Sequence, residues 1–170
     1  RQVGAAEVNL ASNDYLGLST HPEVIGGAQR ALAQWGAGST SSRLVVGTTQ
    51  AHLDLERDLA EFLGTEAALV FSSGYLANIG AVAALAGRGD LIVSDTGTHA
   101  SLIDGCRLSR ARVVVVGRGD VAAVREVLAA RTEPRALVVT DSIYSIDGAC
   151  APIAELYGAA SEFDATLLVD

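Results

Sequence analysis

The sequence predicts an α/β fold in which helices pack in layers against a mainly parallel sheet. Five short apolar runs, rich in β-branched residues, are typical of strands buried on both faces; they lie at residues 67–71, 91–93, 113–116, 137–139 and 166–169. Stretches with helical spacing separate them, at residues 75–86, 100–109, 121–131 and 153–163. Each stretch is long enough for the right-handed crossover that joins parallel strands.

Two amphipathic helices are predicted before the first apolar run. The first spans residues 22–35, with a proline in its first turn and a glycine directly after it. The second spans residues 50–63 and is also followed by a glycine. We predict an N-terminal segment with the first helix at residues 1–35, followed by a larger layered domain at residues 36–170.

The composition argues against several classes of protein. The chain has 170 residues, a net charge of −8 and no cluster of basic residues, which disfavours charge-driven binding to nucleic acid or anionic lipid. No apolar run approaches the roughly 18 residues of a membrane span, and no signal peptide is visible. Cys106 and Cys150 are too few for a secreted disulfide framework, so we expect a cytoplasmic protein. The three histidines are widely separated, so no metal site is predicted.

The types of basic residue in the chain lead us to a further expectation, which concerns the length of the complete protein. All 12 residues of the Lys and Arg total are arginines, and the chain contains neither lysine nor methionine. Because the chain stops directly after an apolar run, we expect it to be an internal piece of a longer polypeptide, with the large domain truncated at its C-terminal side. Any chemistry that needs a lysine must then draw on residues outside this sequence.

Candidate site residues follow the apolar runs, because parallel sheets bind ligands beyond the carboxyl ends of their strands. Ser-Ser-Gly-Tyr at 72–75 opens a helix that either binds an anion or is simply capped by a serine. His99 either faces a ligand or caps a helix. Residues 141–148 offer a hydroxyl and carboxylates, or only a polar turn. Asp170 either pairs with a cation or is solvated beside an edge strand.

A competing motif lies at residues 117–122, where Gly-Arg-Gly-Asp-Val-Ala follows a strand and matches G-x-G-x-x-A. Asp141 follows at about the distance that a ribose contact requires in a dinucleotide site. Against this hypothesis, Asp120 places a carboxylate where the pyrophosphate would enter.

Several motifs occur in an order and spacing that cover essentially the whole chain. They are SNDYLGL at 12–18, GAGSTSSR at 36–43, SSGY at 72–75 with Asn78, THAS at 98–101, and SIYSIDG at 142–148 with Pro152. With these motifs the chain resembles the α-oxoamine synthase family of pyridoxal-phosphate (PLP) enzymes. The loop at 36–43 is most similar to that of the family's biotin-pathway member. The resemblance implies the large domain of a three-layer, fold-type I PLP-dependent transferase.

The resemblance also implies an activity. The cofactor would be pyridoxal 5'-phosphate, and the enzyme would be an acyltransferase that condenses L-alanine with a pimeloyl thioester, on coenzyme A or acyl carrier protein, with loss of CO2. A homodimer is implied, with active sites at an interface near Arg43. The alternatives are an aminoketobutyrate-forming or aminolevulinate-forming member, a nicotinamide-binding oxidoreductase, or a lysine-free homologue that only binds.

Individual roles follow from the same resemblance. The backbone amides of Gly74 and Tyr75 would hold the cofactor phosphate, and Ser145 would bind the cofactor's phenolic oxygen. His99 would stack on the pyridine ring and contact the substrate as a catalytic residue. Asn13 would help to orient the carboxylate of the amino acid.

The last predicted catalytic residue is Asp170, which corresponds to the family's aspartate beside the pyridinium nitrogen. A carboxylate there raises the pKa of that nitrogen and keeps it protonated, so that the ring accepts electrons. The family's Schiff-base lysine, a later histidine and an upstream arginine are absent from this sequence, and Ser41-Ser42 replaces a more usual glycine. We therefore expect the chain alone to be inactive.

Overall fold

A computed structural model describes residues 11–170, so the first ten residues of the predicted N-terminal segment lie outside the description. The chain divides into two units, Arg1–Val70 and Phe71–Asp170, and each is described by itself. The predicted boundary between an N-terminal segment (residues 1–35) and a larger domain (residues 36–170) stays a prediction.

The first unit contains both of the predicted amphipathic helices. Helix α1 spans Pro22–Trp35 and helix α2 spans Gln50–Leu63, as the spacing of apolar residues predicts. Helix α2 ends at Gly64, whose backbone has the left-handed conformation (φ 65°) that ends helices without steric cost for glycine. A short 3₁₀ helix at Leu18–Thr20 precedes α1, and a π-helical turn at Arg43–Gly47 precedes α2.

The prediction of a strand at residues 67–71 is wrong, because these residues pair with no strand among those described. The backbone of Val70 is bound by side chains instead: its N–H donates to Glu56 Oε1 at 2.8 Å, and its carbonyl accepts from Arg43 Nη1 at 3.1 Å. Arg43 also binds the other carboxylate oxygen of Glu56 at 3.0 Å. This arginine lowers the pKa of Glu56 to about 2, with help from the Val70 N–H.

The second unit contains a sheet of four strands that are all parallel, in the order β2-β1-β3-β4. Its elements in chain order are α3 (Gly74–Leu85), β1 (Leu91–Asp95), α4 (Ala100–Ser109), β2 (Arg112–Val116), α5 (Val121–Ala129), β3 (Ala136–Thr140), α6 (Ile153–Glu162) and β4 (Thr166–Val169). The four remaining predicted strands and the four predicted crossover helices are confirmed, with ends that shift by no more than two residues.

Helices cover both faces of this sheet, which confirms the three-layer α/β prediction. On one face, α5 and α6 pack through Val124, Leu128 and Leu156 against alternate residues of β1 and β3. On the other face, α3 and α4 pack through Val82 and Leu102 against the intervening residues of the same strands. This alternation is the period-two pattern of a strand with an apolar layer on each side.

Burial on both faces holds only for the two central strands. Every residue of β1 and β3 is buried, whereas β2 and β4 are partly exposed along most of their length. The expectation of full burial is therefore wrong for residues 113–116 and 166–169, because β2 and β4 form the two edges of the described sheet.

Both cysteines of the chain are free thiols. Cys106 is buried and Cys150 is exposed, and neither forms a disulfide, as their number predicted. Burial raises the pKa of the Cys106 thiol.

Among the helices of residues 11–170, none has the length and apolar character needed to cross a membrane.

Candidate active site

Three carboxylates stand at the carboxyl ends of neighbouring strands. Asp95 ends β1, Asp141 follows β3 and Asp170 follows β4. Asp95 and Asp141 are buried, with 7% and 4% exposure, whereas Asp170 is exposed. Asp170 is the last residue of the given sequence, and its pairing with a cation stays a prediction. Its backbone is fixed, since its N–H donates to the Thr140 carbonyl at 2.9 Å and its carbonyl accepts from the Ser142 N–H at 2.7 Å.

The electrostatics of this edge are dominated by negative charge. Burial raises the pKa of Asp141, and the nearby charges of Asp170 and Asp95 raise it further. Within the described residues, no ion pair includes any of these three side chains. No group of three or more potential metal ligands is found among the same residues. The mutual repulsion of these carboxylates favours a bound cation at this edge.

His99 lies at this edge because it caps α4 and is bound to Asp141. Its backbone N–H donates to Asp141 Oδ1 at 3.0 Å, and its ring Nδ1 accepts from the Ser101 N–H at 3.3 Å. Ser101, which is fully buried, also places its hydroxyl 2.6 Å from Nδ1 and accepts from Asn78 Nδ2 at 2.9 Å. Since Nδ1 accepts, we assign the ring proton to Nε2. The capping interpretation of His99 is thus confirmed, and the exposed ring has a fixed orientation.

The start of α3 presents free backbone donors. Ser73 caps the helix by accepting from the Leu76 N–H at 3.2 Å, as one interpretation of the sequence held. The N–H groups of Gly74 and Tyr75 belong to the first turn, where a helix supplies no acceptor of its own. A Cβ placed on Gly74 would meet no atom within 4 Å, so there is open space at this point. The Tyr75 hydroxyl donates to Asp104 Oδ2 on α4 at 2.7 Å.

Ser145 lies in the connection between β3 and α6, which folds back on itself. An antiparallel bridge joins Ile143 to Cys150, and the Tyr144 N–H donates to the Ala149 carbonyl at 2.9 Å. Ser145 itself is exposed at the tip of this hairpin. The hairpin turns at Gly148, which has a left-handed backbone (φ 71°), so the predicted polar turn is present.

A buried hydrogen-bond network anchors the base of the hairpin to the sheet. The Tyr144 hydroxyl and the Thr140 hydroxyl each donate to Asp95 Oδ2 at 2.7 Å. The second oxygen of Asp95 accepts from the Gly97 N–H at 2.7 Å. Burial, followed by the contact with Asp95, raises the pKa of Tyr144 to about 12, so the phenol stays a proton donor at neutral pH.

Arg118, which lies just after β2, forms a second anchor for the same hairpin. Its guanidinium lies 4.8 Å from the centre of the Tyr144 ring and donates to Asp147 Oδ2 at 2.7 Å. Gly97 permits this approach, since a Cβ there would lie 2.6 Å from Arg118 Cδ and 2.7 Å from a ring carbon of Tyr144.

The dinucleotide hypothesis for residues 117–122 finds no support in this geometry. The carboxylate of Asp120 caps α5 by accepting from the Ala123 N–H at 2.9 Å, so an anion already occupies the start of that helix. Arg118 is engaged with Asp147, and Asp141 is bound to His99 rather than open to a ribose.

Five of the predicted site residues belong to the second unit, where the structure connects them to one edge of the sheet. His99 and Asp170 share the carboxyl edge of the sheet, and both lie close to Asp141. Gly74 and Tyr75 are the first residues of α3. Asn78 of the same helix donates to the Ser101 hydroxyl, which contacts the ring of His99. Ser145 lies on a hairpin that begins at this edge. Asn13 lies in the first unit and is exposed. The roles assigned to these residues stay predictions.

Sequence analysis missed two members of this arrangement. Asp95 carries the same signal that singled out Asp170, an acid at the end of a buried strand, and could have been found by it. Tyr144 lies 49 positions from Asp95 in the chain, and no local pattern predicts their hydrogen bond.

Comparisons with known proteins identify relatives of this chain. An 8-amino-7-oxononanoate synthase of Mycobacterium sp. (strain KMS) is 59% identical over 170 residues, which are all of this chain and 44% of the relative. A serine palmitoyltransferase from S. paucimobilis, with a bound PLP–myriocin aldimine, superposes with a TM-score of 0.88 and 37% identity, over 92% of this chain and 40% of that one.

A further solved structure bears the same enzyme name as the first relative. The 8-amino-7-oxononanoate synthase of Francisella tularensis superposes with a TM-score of 0.77 and 25% identity, over 94% of this chain and 43% of that one. The chain therefore spans less than half the length of the relatives it matches. Residues 5–170 match the family described as aminotransferase class I and II, and the chain belongs to that family.

Proposed function

We propose that this chain forms the cofactor-binding part of an 8-amino-7-oxononanoate synthase in biotin biosynthesis. The reaction condenses L-alanine with a pimeloyl thioester and releases 8-amino-7-oxononanoate, CO2 and the free thiol. Support comes from the relative that is 59% identical along the whole chain. Because the chain spans 44% of that relative and has no lysine, the covalent anchor of the cofactor is assigned to residues outside this sequence.

The observation that carries this proposal is the negative edge of the sheet. Asp141 and Asp170 lie close enough for their charges to interact, and no arginine of the described chain pairs with them. A protonated pyridine nitrogen supplies the cation that such an edge lacks. By keeping that nitrogen protonated, Asp170 acts as a catalytic residue.

The start of α3 fits the phosphate of the same cofactor. The N–H groups of Gly74 and Tyr75 have no helical acceptor, and the space in front of Gly74 is open. Anions bind at such helix ends because the N–H groups and the helix dipole act together. PLP is therefore the cofactor that we propose for this chain.

The other predicted residues have roles towards the same cofactor and its substrate in this proposal. PLP, when bound, supplies an electron-accepting ring that stabilises negative charge at the α-carbon of an amino acid. In this proposal the exposed ring of His99, which Asp141 and Ser101 hold, stacks on the cofactor ring and contacts the substrate. The Ser145 hydroxyl donates to the phenolic oxygen, and Asn13 orients the carboxylate of L-alanine.

We also propose that the complete protein is a cytoplasmic homodimer with coenzyme A or acyl carrier protein as the carrier of the pimeloyl group. Leu44, Val45 and Val46 are 72–96% exposed in this chain, directly after the loop that ends at Arg43, where the family resemblance implies the dimer interface. Apolar side chains so exposed in a row are typical of an interface.

The test uses the complete protein with PLP, L-alanine and pimeloyl-CoA, and measures the release of CO2 and free thiol. Asp170→Asn should lower kcat by about 100-fold or more, because an electrostatic contact to the reacting system is lost. PLP affinity should change little, because the phosphate contacts remain. The control is Asp164→Asn, the same change at an exposed position with a left-handed backbone (φ 49°) that asparagine tolerates.

Two results would contradict the proposal. Unchanged turnover in Asp170→Asn would remove the catalytic role of that carboxylate. Faster thiol release with glycine or L-serine than with L-alanine would assign the protein to another α-oxoamine synthase activity.

A further inference from the structure

We propose that Tyr144 is a positioning residue for Ser145, and that Arg118 supports it from the opposite side of the hairpin. This inference rests on the proposed function, in which the Ser145 hydroxyl binds the phenolic oxygen of PLP. Tyr144 does not touch the cofactor in this proposal. It acts by fixing the place of its neighbour in the chain.

Adjacent residues of the hairpin differ in burial. Tyr144 is 3% exposed, whereas Ser145 is exposed and Ile146 is 97% exposed. The tip of the hairpin thus has no packing of its own. No side-chain hydrogen bond of Ser145 is found within residues 11–170, which leaves its hydroxyl available to a ligand.

Tyr144 is held at a rigid point of the sheet. Its hydroxyl donates to Asp95 Oδ2, which also accepts from Thr140, and both of these partners are buried. Asp95 ends a central strand of the sheet, and Thr140 ends its neighbour β3. A shift of the Tyr144 ring would break a hydrogen bond to a buried carboxylate, which is among the stronger bonds in proteins.

A second contact, between Asp147 and Arg118, restrains the other side of the hairpin tip. Asp147 binds Arg118, and Arg118 also lies over the Tyr144 ring, so one guanidinium joins both sides of the tip. Within the hairpin, the Gly148 N–H donates to the Tyr144 carbonyl at 2.8 Å. Ser145 therefore lies in a short segment that is fixed at both ends.

The test compares five variants of the complete protein, four single substitutions and one double substitution. Tyr144→Phe removes only the hydroxyl, and Arg118→Met removes the guanidinium while keeping most of the aliphatic chain. Tyr157→Phe is the matched control, because this tyrosine is 64% exposed on α6. Ser145→Ala, alone and combined with Tyr144→Phe, completes a double-mutant cycle. The measurements are the dissociation constant of PLP from the apoprotein, backbone amide exchange at residues 145–148 and the thermal midpoint.

We expect Tyr144→Phe to weaken PLP binding about tenfold, since one hydrogen bond to the cofactor is misplaced. Arg118→Met should weaken it less, and Tyr157→Phe should not change it. In the Ser145→Ala background, Tyr144→Phe should have less than about a twofold effect, because the group that it positions is already missing. Amide exchange at residues 145–148 should become faster in Tyr144→Phe, with and without PLP.

The outcomes separate this inference from the proposed function. An equal loss of PLP affinity with and without the Ser145 hydroxyl would show that Tyr144 only stabilises the fold, and would overturn the inference. Unchanged amide exchange at residues 145–148 would also overturn it. If the complete protein bound no PLP, the proposed function would fail. Amide exchange in Tyr144→Phe would then still decide whether Tyr144 positions the loop.

Discussion

Ser101→Ala is the substitution that tests how the candidate site holds its histidine. The Ser101 hydroxyl stands between the amide of Asn78 and Nδ1 of His99, at 2.9 and 2.6 Å. The side chain has no exposure to solvent, so water cannot easily replace what the hydroxyl provides. The order of donors, from Asn78 to Ser101 to His99, is what fixes the ring proton on Nε2.

The magnitude follows from the bonds that are lost. Each of the two hydrogen bonds contributes about 0.5–1.5 kcal/mol, and the partly buried amide of Asn78 loses its acceptor. We expect the free energy of unfolding of the complete apoprotein to fall by about 2 kcal/mol. In an Asn78→Ala background the fall should be about 1 kcal/mol, since one of the two bonds is already absent.

The assay is urea denaturation of the apoprotein at neutral pH, with a fitted midpoint and slope. Ser161→Ala, the same change at an exposed position of α6, should stay within about 0.5 kcal/mol of the parent protein. If Ser101→Ala cost no more than Ser161→Ala, the Ser101 hydroxyl would not join the side chains of Asn78 and His99, and this account of how the site holds its histidine would be refuted.

Three further predictions concern stability. Gly105→Ala should destabilise the complete protein by about 1–3 kcal/mol in urea, because the new Cβ would lie 3.0 Å from Cβ of the buried Val82; Gly158→Ala, where a Cβ meets nothing within 4 Å, should instead stabilise it by about 0.5–1 kcal/mol. Glu56 has a pKa of about 2 in the folded chain against an ordinary value of 4.5, so its stabilising effect is complete above pH 4.5 and is lost as the pH falls towards 2. Glu56→Gln should therefore lower stability at pH 7 but little at pH 2, by urea titration at each pH. Asp141 has a raised pKa, so its carboxyl group stays protonated to a higher pH in the folded state than in the unfolded state. The free energy of unfolding therefore falls as the pH rises from the ordinary pKa of this group to the raised one. Asp141→Asn should therefore make the apoprotein more stable at neutral pH, and a loss of stability there would contradict the raised pKa.

The elements that sequence analysis predicted correctly carry their signals locally. The apolar spacing of α1 and the glycine after it decide its length without reference to distant residues. The central strands are continuous apolar runs because helices cover both of their faces. The error at residues 67–71 has a different origin. An apolar run does not reveal whether its backbone will meet another strand, and Val70 is bound by Arg43 and Glu56 instead.

The same limit applies to the site. A helix cap such as His99 and an acid at a strand end such as Asp170 are visible in the sequence, because each depends on neighbours within a few residues. The bond between Tyr144 and Asp95 depends on two strands lying side by side, which only the folded sheet decides. The motif around Ser145 indicates that the segment matters, but not which of its side chains is exposed.

The placement of Asp141 connects stability to ligand binding at this edge. A buried carboxylate beside two others destabilises the folded state, as the raised pKa of Asp141 indicates. One contact compensates in part, since Asp141 accepts the His99 N–H and so holds the ring in place. A cation bound against Asp170 lowers the repulsion at Asp141 as well, because the two charges interact. If the proposed function holds, the affinity of this edge for a protonated ring nitrogen therefore includes the relief of a repulsion that the folded chain already contains.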